Sequence, residues 1–480
     1  MNKIVSICTA LLLIFTYVSP KSVNAQQQTS IEDESIYDLL VDRFFNGTGM
    51  NDYNVDAKNP ASFSGGDFKG LQSKKDFIKQ MGFSIISIGN VFENESYDGS
   101  KPVSYENMEP HFGTKEEFEQ VISTFNASDM DIMIDFPVAK VSKNHEWFSG
   151  ISNVDWVKDE DEHYIWLNTE NSEIQRNLKA ALAQVVKEYN VHIRFTSLEM
   201  TSESFLNELI DIVKKENPHA YVISSEQSNA NFDVAYDDTM VETQVNAFKN
   251  VDLPTDQVIT NQQLNVYTQR MIDTLSTDRF ILYGDLEKMY PPTRAKMAVL
   301  SNLLLPGLPV VTYGTEIAMS GTAGTQAHQL YNFKTDTELL DQIKNIQQLK
   351  MESETLRKGQ VEILINEDGY IAFSRTSSDE KWIVVINNTS STKTLKLSKE
   401  EIGEDKKIIA LLNTENIRLS EDDHYHIVLD RENVEVYHIQ NDQGINKAYL
   451  VALALVYILF MIFVIAVVKK GKKQKGKKEA

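Results

Sequence analysis

Five side chains stand at or just past the ends of short β-branched runs and carry chemical capacity: Asp135, Arg194, Thr196, Glu226 and Asp285. Carboxylates so placed can attack carbon, move protons or steady a developing cation. An arginine among them offers a planar fork that pairs with an anion. Thr196 departs from this pattern. Its hydroxyl has no negative charge to trap a cationic centre, and no neighbour in Val191-His192-Ile193-Arg194-Phe195-Thr196 is a base placed to activate it.

The elements that must hold these groups can be read from periodicity. Strand candidates are Ile36–Val41, Phe83–Ile88, Asp131–Ile134, Val191–Phe195, Tyr221–Ser224, Phe232–Ala235, Arg279–Leu282 and Val310–Tyr313. Between several of them lie amphipathic stretches: Lys115–Phe125, Ser172–Tyr189 and Ser204–Lys215. Strands alternating with helices predict an α/β protein, either a closed (β/α)8 TIM barrel or a doubly wound open sheet. Periodicity leaves both open.

Past Gln347–Lys358, predicted as the last barrel helix, the texture changes. Val361–Ile365, Tyr370–Thr376, Trp382–Asn387, Thr394–Leu397, Lys407–Leu412, Tyr425–Leu429 and Val434–Ile439 are short strand-like runs split by Asn/Asp/Gly/Ser turns. They predict a small antiparallel β-sandwich. The expected division is a signal peptide over 1–25, a barrel over 30–352, a sandwich over 360–440, a transmembrane helix over 448–468 and a Lys-rich tail over 469–480.

The two ends carry addressing signals. Lys3, the apolar run Ile4 to Val18 and Val23-Asn24-Ala25 read as a secretory signal. An uncleaved anchor is the alternative, against which the shortness of the run argues. Ala448 to Val468 is an uncharged apolar run long enough to span a bilayer, with seven lysines behind it. Positive residues stay inside, so the expected location is the cell membrane, single-pass, with the barrel outside and the C-terminus in the cytoplasm.

Cys8, in the signal, is the only cysteine, so the mature chain has no disulfide and no thiolate metal site. The formal charge is −22; the tail contributes +6 and the first 25 residues +2, leaving about −30 on residues 26–447. Such a surface repels nucleic acid, so no nucleic-acid partner is expected.

At this point the chain resembles the α-amylase family of glycoside hydrolases, from about Ile36 to Gly321. The resemblance rests on Asp42-Arg43-Phe44 with Asn46-Gly47 and Asn51-Asp52, on Gly65-Gly66-Asp67-Phe68-Lys69-Gly70, and on Pro110-His111-Phe112-Gly113-Thr114. Leu167-Asn168-Thr169-Glu170-Asn171 and Leu305-Pro306-Gly307-Leu308-Pro309-Val310-Val311-Thr312-Tyr313-Gly314-Thr315-Glu316 continue it in order. It implies the barrel over the open sheet, with the site at the C-terminal ends of the strands.

The resemblance also implies roles. Glu226 stands at the acid/base position, Asp285 at the sugar-steadying position, and Asp135 and Arg194 at substrate-binding positions. Thr196 replaces the nucleophile of retaining hydrolysis. Arg194 is thereby expected to pair with Glu226 or Asp285. Ala139-Lys140 and Glu199-Met200 replace polar pairs that relatives use, Gly284 replaces a histidine, and Glu199 is expected to face away from the site. His145 reads as a surface or loop histidine. In bacterial relatives a calcium ion is held by the first loop and the glycine-rich turn. The matching positions are Asn46, Thr48, Asn51, Asp52, Gly65 through its carbonyl and Asp67, a set of oxygens suited to Ca2+.

The expectation is a membrane-anchored extracellular α-amylase-like pseudoenzyme that binds carbohydrate or serves as a module for a membrane-protein partner. The alternative is an active α-glucan hydrolase or transglycosylase.

Overall fold

Seven parallel strands surround one axis in this computed structural model, which describes residues 30–149, 154–261, 264, 266–335, 337–442 and 447–475. They are β1 (Ile36–Asp38), β2 (Ile85–Ser87), β3 (Asp131–Pro137), β7 (His192–Thr196), β8 (Val222–Ser224), β9 (Gln269–Arg270) and β10 (Leu308–Thr312). Their order is β8-β7-β3-β2-β1-β10-β9. Residues 232–235 fill the gap between the two edges: Asp233 N donates to the Val222 carbonyl at 2.9 Å, and Ala235 bridges in parallel to Thr268. The result is the TIM-like barrel and not the open sheet.

Side-chain alternation then divides each strand between two cores. Ile132, Ile134 and Phe136 of β3 and Ile193 and Phe195 of β7 pack outward under the helices. Their neighbours of opposite parity turn inward. Ile36, Ile85, Met133, Ile223, Val234, Leu308 and Val310 form an apolar plug inside the barrel. One layer higher the same parity brings polar groups inward: Asp38, Asp135, Arg194 and Thr312. Register alone therefore fixes which residues can meet at the mouth.

Two expectations are corrected. Arg279–Leu282 is not a strand: the seventh strand is Gln269–Arg270, and Phe280–Leu286 is a helix. The run Phe280-Ile281-Leu282 is apolar enough for either state; Phe280 N is taken by the Asp273 carboxylate at 3.0 Å as the helix begins. The last barrel helix is longer and broken, Glu338–Glu352 and then Glu354–Lys358, with Ser353 capping the second piece. Ser172–Tyr189 is a helix as expected, ended by Asn190 in the left-handed region.

A small sheet went unforeseen. Between β3 and β7 the chain makes β4 (Lys140–Ser142), β5 (Val157–Glu160) and β6 (Tyr164–Leu167), ordered β4-β6-β5, at the rim of the barrel. Its strands are three or four residues long, too short for a clear period.

The C-terminal unit is the expected sandwich. β11 (Gln360–Glu367), β12 (Tyr370–Thr376), β13 (Lys381–Asn387), β18 (Asn433–Asn441), β15 (Lys406–Ala410) and β16 (Asn416–Arg418) form one sheet; β14 (Lys393–Ser398) and β17 (His424–Leu429) form the other. Ala372, Ile383 and Val385 face Leu395, Leu397 and Ile427 between the sheets. Ile371, Phe373, Val384 and Ile386 face the barrel's own core. Arg294, fully buried, fastens the junction through Glu432 and through Asn388 Oδ1 at 2.7 Å.

Lys447–Lys475 is one helix, and Leu450–Lys469 within it is long and apolar enough to cross a membrane. The signal peptide expected over residues 1–25, the 443–446 segment and residues 476–480 of the expected tail lie outside the described residues.

Candidate active site at the barrel mouth

The C-terminal ends of the strands enclose a cavity of about 430 Å³ whose wall includes Asp38, Asp135, Lys140, Arg194, Thr196, Glu199, Glu226 and the loop Asp273–Thr277. Arg194 organises its floor. Its Nε and Nη2 donate to the two carboxylate oxygens of Asp135 at 2.6 and 3.0 Å, and Nη1 lies 2.9 Å from Asp38 Oδ2. Asp38 in turn accepts the Ser87 hydroxyl at 2.7 Å. Burial works against the charge on Arg194, but the two carboxylates outweigh it and hold the guanidinium protonated. Arg194 therefore does not pair with Glu226 or Asp285, as expected from sequence; the inward parity of β1 and β3 delivers nearer partners. Asp38 was missed, although its place at the end of the first strand was a usable signal.

Thr196 ends β7 with inward parity, at the mouth, among these charges. Beyond it Ser197 and Met200 take positive φ, +55° and +60°. This left-handed backbone, rare for residues with a side chain, bends the segment back over the mouth. Glu199 accordingly lines the cavity, which corrects the expectation that it faces away; Lys140 Nζ lies 3.7 Å from its carboxylate.

Glu226 follows β8, and its Oε2 accepts from Leu198 N at 3.1 Å. Burial raises its pKa, the nearby Glu199 adds to the rise, and the bonds from Leu198 and Ser197 and the charge of Lys140 oppose it. A carboxyl so poised is suited to hold and donate a proton.

Asp285 is elsewhere. It sits exposed on the helix Phe280–Leu286, bonded to the Ser320 hydroxyl at 2.8 Å and outside the wall of the cavity. The loop after β9 lies in the place it was expected to fill. There Asp273 is buried and occupied by Phe280 N, the Thr315 hydroxyl at 2.7 Å and Arg279 at 3.7 Å. The Thr274 and Thr277 hydroxyls bond within the loop, and Ser276 presents an exposed hydroxyl to the cavity. No free carboxylate comes from this side.

His145 is a loop residue but not a surface one. It is fully buried against Tyr105 and Trp147, and burial pushes its pKa down to about 3. His328, overlooked in the sequence, lines the mouth instead, fixed by Tyr97 Oη at 2.9 Å and the Leu275 carbonyl at 2.6 Å.

The model of the α-amylase catalytic domain matches residues 38–192, and that of the α-amylase C-terminal domain matches 359–437. An Anoxybacillus α-amylase structure superposes with a TM-score of 0.83 at 28% identity, covering 87% of this chain and all of that one. The chain belongs to the α-amylase family. A second α-amylase structure in that family, from Geobacillus thermoleovorans with acarbose, has a TM-score of 0.79 at 26% identity, over 86% of this chain and all of the other. The cyclomaltodextrinase of Thermoanaerobacter pseudethanolicus is 23% identical over 444 residues, 82% of this chain and 76% of its own length. The maltogenic α-amylase of Bacillus acidopullulyticus is 24% identical over 429 residues, 78% and 72% of the two chains.

The cation positions expected from the α-amylase resemblance come together in part. Asn46 Nδ2 lies 3.0 and 3.1 Å from the two Asp52 oxygens, and both side chains crowd the Cα of Gly65. Asn51 Oδ1 is buried without a hydrogen-bond partner, an orphan acceptor of the kind a hard cation satisfies. Asp67 accepts from Gly47, Thr48 and Gly70, and Thr48 Oγ1 accepts from Met50 N, so both also serve the backbone. Of the expected positions Asn46, Asp52 and Gly65 lie together, while Thr48 and Asp67 are taken up by the backbone.

Proposed function

We propose that this chain binds α-glucans at the barrel mouth from the outer face of a membrane, and does not hydrolyse them by double displacement. The observation that carries the reading is the neutral hydroxyl of Thr196 at the end of β7. Retaining hydrolysis forms a glycosyl ester on a carboxylate, and the mouth offers none at that position. Asp38 and Asp135 are spent on Arg194. Glu226 keeps the character of a proton donor, but an acid without its nucleophile forfeits several kcal/mol of transition-state stabilisation. Affinity for α-glucan is supported by the family and by the Geobacillus structure, which is described with acarbose.

The apolar helix Leu450–Lys469 followed by lysines supports a single membrane anchor with the barrel outside. A membrane-protein partner docking on the ectodomain is part of the same reading, and a calcium ion in the first loop would cross-link its turns.

A second reading, an active α-glucan hydrolase, draws on the relatives, which are named cyclomaltodextrinase and maltogenic α-amylase. It is also favoured by Glu226, whose raised pKa suits an acid that protonates the glycosidic oxygen while water attacks directly. Calorimetry with maltooligosaccharides, beside a turnover assay on the same preparation, separates the two. Saturable binding without reducing-sugar release is expected. Steady turnover by the native chain assigns the hydrolase reading, and absence of binding removes both.

A further inference from the structure

At the far end of the barrel from the mouth, where Glu32, Tyr267 and Gly307 lead into the strands, lies a second cavity of about 590 Å³. Arg375 of β12 forms part of its wall and is 6% exposed. Its Nη1 donates to the Arg357 carbonyl at 2.6 Å, while Nε is buried without a hydrogen-bond partner. Behind it Arg270, 1% exposed, donates to the Pro306 carbonyl and the Met240 sulfur. Lys350 donates to the Leu303 carbonyl at 3.1 Å. Among the described residues none of these three cations has a carboxylate within salt-bridge distance. Asp33, outside this wall, is taken by Arg357 and Lys358, both at 2.6 Å, and Glu32 on the wall is the anion whose charge favours that of Arg375. Burial, reinforced by the charge of Arg375, lowers Arg270 to about 10 and Lys350 to about 7.

Buried like charges without counter-ions are costly, and the missing element is an anion. We propose that this cavity binds the phosphate group of a small phosphate monoester, with Arg375 at its centre and Arg357 and Lys358 at its rim. A monoester brings close to two negative charges and three acceptor oxygens, which a carboxylate does not. A guanidinium suits such an anion by charge, although Nη1 of Arg375 is already bonded to the Arg357 carbonyl. The space exceeds the anion itself, and Leu264 and Tyr267 supply a wall for the organic part.

The test is titration calorimetry on the full chain in detergent micelles, with inorganic phosphate, glycerol 3-phosphate and the diester glycerophosphoglycerol at matched ionic strength. Saturable binding of the monoester is expected, about tenfold tighter than the diester because of its extra charge. Arg375→Met should weaken it by at least about tenfold. Gln360→Glu, on the exposed rim, adds a repelling charge without disturbing the core and should weaken it severalfold. The proposal is overturned if the native chain shows no saturable binding at millimolar monoester, or if both variants bind as the native chain does. A diester that binds as tightly or tighter overturns the monoester assignment in favour of a polymer or lipid headgroup.

Discussion

Arg194 grips Asp135 through two hydrogen bonds, 2.6 and 3.0 Å, so the arginine beside Thr196 is fully engaged without any carboxylate on its own strand. The arginine on the floor of the mouth is thus paired without help from Thr196.

Restoring an anion at that point should restore chemistry in part. Thr196→Asp is expected to raise maltooligosaccharide hydrolysis at least about tenfold over the native chain, the range of a single catalytic group being far larger. Because Asp285 lies outside the cavity, the double variant with Ser276→Asp should exceed it. Reducing-sugar release over time measures both; no gain in either variant would mean that the mouth is unfit for other reasons.

Breaking the grip should be expensive. Arg194→Met leaves Asp38 and Asp135 buried beside each other and is expected to cost about 3–5 kcal/mol. Denaturant unfolding reads this, and a loss below about 1 kcal/mol would contradict a buried ion pair of this kind.

A pH effect resides just past β10, at Glu316. Tyr37 Oη donates to Glu316 at 2.6 Å, and burial raises the Glu316 carboxyl from 4.5 to about 6. The folded chain therefore takes up a proton that the unfolded chain releases, so this group's contribution to stability falls as pH rises from 4.5 to 6 and stays low above. Glu316→Gln should flatten stability across that window and add up to about 2 kcal/mol at pH 7. Thermal unfolding at several pH values tests the sign.

If the first loop holds calcium, millimolar Ca2+ should raise the unfolding temperature by about 2–4 °C and a chelator should reverse it. Asp52→Ala is the informative variant, since Asp52 bonds Asn46 while Asp67 also caps a helix. An undiminished calcium response in that variant would place the ion elsewhere.

Deleting 448–480 should move the protein from the membrane fraction to the soluble one with its sugar binding intact. Retention of the shortened chain on membranes would assign anchoring to another segment.

Much of the framework was written locally. The helix Ser172–Tyr189 and the strand Tyr370–Thr376 match their expected limits because amphipathic spacing, an Asn171 cap and β-branched runs are local signals. The identity of Thr196 is likewise a sequence fact, although β7 runs one residue past the expected Val191–Phe195 to include it. The seventh strand was misplaced because Gln269–Arg270 is two residues long, while Phe280-Ile281-Leu282 is apolar whichever state it adopts.

What the sequence by itself determined is the alternation of strands and helices, a hydroxyl at Thr196 where the resemblance implies a carboxylate, and the apolar C-terminal run. Only the tertiary structure decided which charges meet: that Arg194 closes on Asp38 and Asp135, that Glu199 bends back over the mouth, and that Asp285 leaves it. The reason is physical. A side chain's inward or outward turn is fixed by strand register and by left-handed residues such as Ser197, and those are set by packing across the whole barrel.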